Sequence, residues 1–265
     1  MKIALFFNDP GGHGHLAHYC RRKFTQLGIP FDHFWTRDAQ KVPRTYDLYL
    51  RFDHGDYQDD LPIDMHPSVF YAIDTHLKKP YKKIKEQAKH YDIVFCAQWP
   101  GMERLRRDTK TDVQWVPIGS DPDVFRKLDV PKKYDIGFVG RNAEKFDRGR
   151  HLKLIREKYP NSFIGEAPQN KISEIYSAAK IGFNSSIADD LNMRMFEIPF
   201  CGCFLLTNRI KNKGVTQIFE EGKDFVTYTD TRDLVKKIDY YLKHEEEREA
   251  IARNGHAKVQ QYTYL

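Results

Sequence analysis

Long apolar runs are missing. No stretch of the 265 residues approaches the roughly 20 consecutive apolar residues of a membrane-spanning helix. Only Met1–Phe7 precedes the polar Asn8-Asp9-Pro10, which is too short for a secretory leader, so a cytoplasmic chain is expected. Cysteine is scarce: Cys20, Cys96, Cys201 and Cys203 are the four. Cys201-Gly-Cys203 is one short spacing without a second pair, which argues against structural zinc and a disulfide framework. No internal repeat is found, so a solenoid is excluded. Gly11-Gly12-His13-Gly14-His15 has no Gly-Lys-Ser/Thr after it and is neither a Walker A loop nor a full GxGxxG.

Enough remains to build a core. Hydrophobic residues make up 40% and aromatics 14%, and the length allows two small α/β domains. The charge is +6, from 43 Lys and Arg against 37 Asp and Glu. That favours a phosphate-bearing ligand or nucleic acid over an acidic partner. Lys78-Lys79, Lys82-Lys83-Lys85 and Arg104-Arg106-Arg107 read first as solvated helix faces.

Short apolar runs alternate with helix-spaced ones. Lys2–Phe7 reads as a buried parallel strand. Leu16, Tyr19, Cys20, Phe24 and Leu27 then fall at helical spacing, and Gly28 supplies the stop. With Phe31–Trp35 as the next strand this is a βαβ opening, whose right-handed crossover makes the sheet parallel. Further strands are expected at Tyr46–Phe52, Ser68–Ile73, Asp92–Ala97 and Val113–Pro117. Leu77, Tyr81, Ile84 and Ala88 line one helix, and Pro100–Arg107 forms another. The polar, proline-bearing stretch from Asp121 to Pro131 reads as a linker.

The pattern then restarts with a strand at Asp135–Val139, a polar loop Gly140–Gly149 and a helix carrying Leu152 and Ile155. After a short strand at Phe163-Ile164, Ile172, Ile175, Tyr176 and Ala179 share a helical face. Strands follow at Ile181–Asn184, Cys203–Thr207 and Phe225–Tyr228. A long helix opens at Thr231, and Asn254-Gly255 is expected to break the helical tail. The expected fold class is α/β, with two successive parallel-sheet units in residues 1–125 and 126–265.

Ligands of open parallel sheets bind beyond the carboxyl ends of strands. Polar residues directly after strands are therefore the candidates. Gly11–His15 leaves room for backbone N–H groups to approach an anion. Asp74-Thr75-His76 places a carboxylate and an imidazole at a strand end, fit to handle a proton or hold a hydroxyl; capping of the next helix is the alternative for Asp74. The charges of Arg51–Asp56 are expected to point to solvent. Gly140-Arg141, followed by Arg148 and Arg150, puts three arginines within ten residues, the bidentate partners that diphosphate oxygens favour. The densest segment is Asn184-Ser185-Ser186 through Glu197. Asp189 and Glu197 have seven residues between them, and a carboxylate accepts vicinal ribose hydroxyls at two points. Arg194 lies one helical turn before Glu197, on the same face.

Asn192-Met-Arg-Met-Phe-Glu197-Ile-Pro-Phe-Cys-Gly202-Cys-Phe-Leu-Leu, with Phe219-Glu-Glu-Gly222-Lys-Asp after it, resembles the nucleotide-sugar signature of group-1 glycosyltransferases. The nearest variety is that of CgeB-like spore-maturation proteins. Tyr71–His76, Asp92–Gln98, Trp115–Gly119, Asp135–Gly140 and the ending from Leu234 are similar to the same chains, in the same order.

The resemblance implies a GT-B fold, in which two Rossmann-like domains face each other across a cleft and the C-terminal one holds the donor. It implies metal-independent transfer from a nucleotide sugar, a UDP-sugar in the first instance, commonly with retention, and no further cofactor. Glu197 matches the glutamate that holds the ribose. Asp189 stands where the family has a sugar-contacting glutamate, and is a shorter acid. Arg141 and Arg148 match the diphosphate-binding pair loosely. With Gly11, Gly12, Gly140, Asn192 and Arg194 they make the expected donor set. His13, Asp74 and His76 are the expected catalytic residues, orienting or deprotonating the acceptor hydroxyl. Two alternatives stand beside this: the same chemistry on a modified base of DNA, as in small phage-type enzymes, and a nucleotide-sugar-binding module without catalysis.

Overall fold

The computed structural model describes residues 1–9, 16–55, 57–142 and 144–264. Gly11, Gly12 and His13 lie outside them. The chain divides into two compact units, Met1–Ile118 with Asn212–Gly214 and Tyr264, and Gly119–Lys211 with Val215–Thr263.

The first unit begins with β1 (Ile3–Phe6), α1 (Leu16–Gln26) and β2 (Phe31–Phe34). A short 3-10 turn follows at Thr36–Lys41, then β3 (Leu48–Phe52), β4 (Ser68–Ala72) and α2 (Lys78–Ala88). It closes with β5 (Ile93–Cys96), α3 (Trp99–Thr109) and β6 (Asp112–Trp115). Among the described residues these strands form a six-stranded sheet in the order β2-β1-β3-β4-β5-β6, parallel throughout. Every residue of β1 and β4 is buried, as in a sheet covered on both faces. Phe6, Tyr49, Phe70, Ile84, Val94 and Leu105 anchor its core.

The second unit runs β7 (Tyr134–Val139), α4 (Asp147–Lys158), β8 (Ser162–Gly165), α5 (Gln169–Ser177) and β9 (Ala179–Phe183). It continues through α6 (Arg194–Phe200), β10 (Phe204–Asn208), α7 (Lys213–Ile218), of which Lys213 and Gly214 belong to the first unit, and β11 (Val226–Tyr228). The helices α8 (Thr231–Lys243) and α9 (Glu245–Val259) end it. The described strands make a five-stranded parallel sheet, β11-β10-β9-β7-β8. Ile136, Phe138, Leu152, Phe183, Leu206, Leu234 and Ile238 fill its core. Asp230 caps α8 by accepting the N–H groups of Arg232 and Asp233.

Four local expectations are corrected. Arg51 and Asp53 do not face solvent; they are 0% and 1% exposed. Arg51 donates to Asp60, Gln87 and the Asp59 carbonyl and lies over the Phe70 ring at 4.5 Å. Ala179 leaves the α5 face to begin β9 opposite Tyr134. The polar loop after β7 ends at Phe146, because α4 already includes Gly149. The stretch from Asp121 to Leu128 is held to the second unit, Arg126 and Leu128 donating their N–H groups to Ser173 and Ser177, with Asp121 and Phe125 buried.

The helical tail corrects a further expectation. α9 runs through Asn254-Gly255 unbroken. Gly255 serves packing: a Cβ there would sit 2.4 Å from the Asp224 carbonyl oxygen. Gly255→Ala, which helix propensity alone would favour by about 1 kcal/mol, is expected to destabilise instead, by roughly 1–3 kcal/mol of overpacking. Thermal unfolding checks this; a raised melting temperature would mean that α9 and the Asp224 turn separate at little cost.

Candidate functional site

The crevice of an open parallel sheet lies where successive crossovers leave in opposite directions. In the second unit that point is between β7 and β9, since the chain runs from β7 out to β8 and returns to β9. The loops beginning at Gly140 and Asn184 therefore flank it.

Asn184, fully buried, organises the crevice. Its Nδ2 donates to Thr207 Oγ1 at 3.0 Å. Its Oδ1 accepts from Arg194 Nε at 3.0 Å and Asn192 Nδ2 at 3.4 Å. Arg194 also lies over the Phe138 ring at 5.2 Å. Gly140 has φ +145, and a Cβ there would meet Arg194 Nη1 at 3.0 Å. A side chain would thus strain the loop and crowd the guanidinium. Asn192 Oδ1 is buried without a hydrogen-bond partner among the described residues, an acceptor left for a ligand.

Arg148, in the first turn of α4, is 8% exposed. Its Nε and Nη2 donate to the Ser185 carbonyl at 2.9 and 2.7 Å. Burial, and then the like charge of Arg194, lower its pKa to about 10. Neither arginine has a carboxylate within ion-pair distance among the described residues. Two neighbouring guanidiniums without a direct ion pair suit an anion, with Asp190 acting on Arg148 only through space.

Glu197 sits on α6, half-buried. Desolvation raises its carboxyl pKa to about 7, with Arg194 opposing the rise. Its carboxylate has no hydrogen-bond partner among the described residues. A half-buried carboxylate, unbonded among the described residues and one turn from an arginine, is an acceptor open to donors.

The structure thus gathers Gly140, Arg148, Asn192, Arg194 and Glu197. Arg141 follows Gly140 on the same loop, its side chain exposed. Asp189 is set differently. It is exposed, with φ +58, and its Oδ1 accepts the Lys211 N–H at 2.8 Å. That bond ties the loop after β9 to the one after β10.

In the first unit, Asp74 does not cap α2, whose N-cap is Leu77 without a side-chain bond. Its carboxylate accepts from Tyr57 Oη at 3.1 Å. Buried Asp53 fixes the turn beneath it by accepting the N–H groups of Ile73, Asp74 and Gly55 at 3.0, 2.9 and 3.1 Å. The buried His76 Nδ1 has no partner among the described residues. His13 cannot be placed with them.

Sequence reasoning missed Tyr57, Asp53 and the residues after β10. A cavity of about 250 Å³ is lined by Arg148, Ser186, Asn208, Arg209, Tyr228 and Thr229, among others. Asn208 ends β10 and Arg209 follows it, so the strand-end rule that marked Asn184 would have found them.

A family model described as glycosyl transferase-like matches residues 131–264. Comparison with curated proteins finds no match. Among solved structures, the chain is similar to HepE of Anabaena in complex with UDP and glucose: 13% identity, TM-score 0.74, covering 100% of this chain and 96% of that one. Sucrose-phosphate synthase of Thermosynechococcus elongatus is 13% identical, with TM-score 0.71 over 99% of this chain and 95% of the other. The pneumococcal O-GlcNAc transferase GtfA, in complex with UDP and GlcNAc, is 12% identical with TM-score 0.58, over 86% of this chain and 56% of the other. At these identities the likeness establishes the fold. Among the described residues no helix is long and apolar enough to cross a membrane.

Proposed function

Because the chain belongs to the glycosyl transferase-like family, we propose that it moves a sugar from a nucleoside-diphosphate donor to an acceptor hydroxyl. The donor base is uracil in this reading, since HepE and GtfA were solved with UDP. The observation that carries it is Glu197: a half-buried carboxylate, unbonded among the described residues, one turn after Arg194 on the helix that follows the loop from Asn184 at the sheet's switch point.

Glu197 accepts the two ribose hydroxyls. Arg141, Arg148 and Arg194 hold the diphosphate, whose negative charge grows as the anomeric C–O bond breaks. Asn192 Oδ1 accepts a hydroxyl of the donor. Asp189, which ties down its own loop, touches the sugar only at the loop's edge. Tyr57, Asp74 and His76 are assigned to the acceptor in the first unit, and the GT-B cleft between donor and acceptor sides belongs to this proposal. With retention, the acceptor oxygen bonds to the anomeric carbon as the phosphate leaves, and a β-phosphate oxygen takes the acceptor's proton. No protein base is then required, and Asp74 and His76 orient the hydroxyl. The CgeB-like variety and a cytoplasmic setting are part of the same reading.

The arginines carry the charge that a divalent cation carries elsewhere, so turnover is expected to survive excess EDTA. Loss of turnover in EDTA, restored by manganese, would overturn this assignment. For the acceptor, the exposed side chains of Lys78, Lys79, Lys82 and Lys83 on α2 favour one further reading, a modified base in duplex DNA. Duplex binding that falls steeply with salt would support it; salt-independent turnover on a saccharide would not.

A further inference from the structure

The cavity beyond Arg148 has a charge pattern of its own. It is bounded by the first turn of α4 and by the ends of β9, β10 and β11. Most of its polar lining is already satisfied internally. Asn208 accepts the Ser186 N–H at 2.6 Å and donates to the Ser186 carbonyl at 3.3 Å. Ser186 Oγ donates to the Asp190 carbonyl at 2.6 Å. Thr229 Oγ1 donates to Asp233 at 3.2 Å. His151 meets Tyr228 Oη and Thr231 Oγ1, each at 3.3 Å, and its burial lowers its pKa, so the ring is neutral near pH 7.

Two groups have capacity left. Arg148 spends Nε and Nη2 on Ser185, and Nη1 makes no hydrogen bond among the described residues. Among the described residues Arg209 bonds only through its backbone, donating its N–H to the Tyr228 carbonyl at 2.9 Å; its side chain is exposed. One lining carboxylate, Asp147, is engaged by Arg150 in an ion pair, and Asp190 lies near enough to act on Arg148 through space. The side-chain donors left free in the lining are therefore cationic. The ring of Phe146, 51% exposed, also lines the cavity and offers an apolar face of the kind sugar rings stack on.

From these observations we infer that this cavity receives the transferred sugar and selects one bearing a carboxylate, a uronic-acid sugar, with Arg209 as the specificity-determining residue. The inference rests on the donor reading above. About 250 Å³ is below the usual range of drug-sized pockets, roughly 300–1,000 Å³, and fits a single small unit. An arginine facing a carboxylate makes a charge-assisted, bidentate pair that a neutral sugar cannot make.

The test is calorimetric titration of the intact chain and of Arg209→Gln with UDP, UDP-glucose and UDP-glucuronate. The side chain of Arg209 is exposed and makes no bond among the described residues, so the variant is expected to fold. The wild type is expected to bind UDP-glucuronate at least about tenfold tighter than UDP-glucose. Arg209→Gln is expected to erase that preference while keeping UDP affinity within about twofold; tenfold corresponds to about 1.4 kcal/mol. Binding of UDP with equal affinity for the two sugars, or a preference that survives in Arg209→Gln, would overturn the inference and leave the donor reading standing. Failure to bind UDP at all would overturn both.

Discussion

Arg141→Ala is expected to lower turnover by about two to three orders of magnitude while leaving the melting temperature unmoved. Arg141 is exposed beside Gly140, and its side chain has no hydrogen bond or ion pair among the described residues, so its removal takes nothing from the fold. In the proposed reaction it meets charge that develops on the departing diphosphate. Removing one donor placed for developing charge typically costs about 10²–10³ in kcat. Binding of UDP, which carries that charge in the ground state, is expected to weaken as well. Steady-state kinetics beside a thermal melt separate the possibilities. A fully active Arg141→Ala enzyme would leave the diphosphate to Arg148 and Arg194 alone.

Glu197→Ala is expected to weaken donor binding by roughly 10- to 150-fold, from the loss of charged hydrogen bonds worth roughly 1.5–3 kcal/mol. The fold should survive, because the carboxylate has no hydrogen-bond partner among the described residues to strand. Stability should even gain near neutral pH. The folded-state pKa, about 7, lies above the ordinary 4.5, so the native state holds a proton that the unfolded chain releases. Stability from this group is full below about 4.5 and falls as pH rises through about 7. Glu197→Gln removes that slope. Equal donor affinity in Glu197→Ala and wild type would remove Glu197 from the ribose.

The strands were legible because buried parallel strands read as continuous apolar runs: β4, Ser-Val-Phe-Tyr-Ala, is buried at every residue. The positions of Gly140, Arg194 and Glu197 were legible because they follow strands or lie on the helix that opens after one. What was not legible depends on distant partners. Arg51 and Asp53 look solvated in sequence, yet Asp60 and Gln87 receive Arg51 and the Ile73–Asp74 backbone satisfies Asp53. Ala179 continues the spacing of Ile175, and only its pairing with Tyr134 makes it strand. Gly255 looks like a breaker until the Asp224 carbonyl explains it. The short acid at Asp189 turns out to brace Lys211, a role no spacing reveals.

The most direct measurement is the affinity of one UDP-sugar for wild type and Glu197→Gln, by calorimetry from about pH 5.5 to about pH 8. A UDP-sugar lacks the terminal phosphate that titrates near pH 6 in UDP itself, so the ligand's charge stays constant over this range. If Glu197 holds the ribose as a carboxylate, wild-type affinity should rise by about tenfold per pH unit below its pKa of about 7 and level off above it. Glu197→Gln should bind more weakly, with a flat profile. A wild-type profile as flat as the variant's, at equal affinity, would contradict the donor site described here.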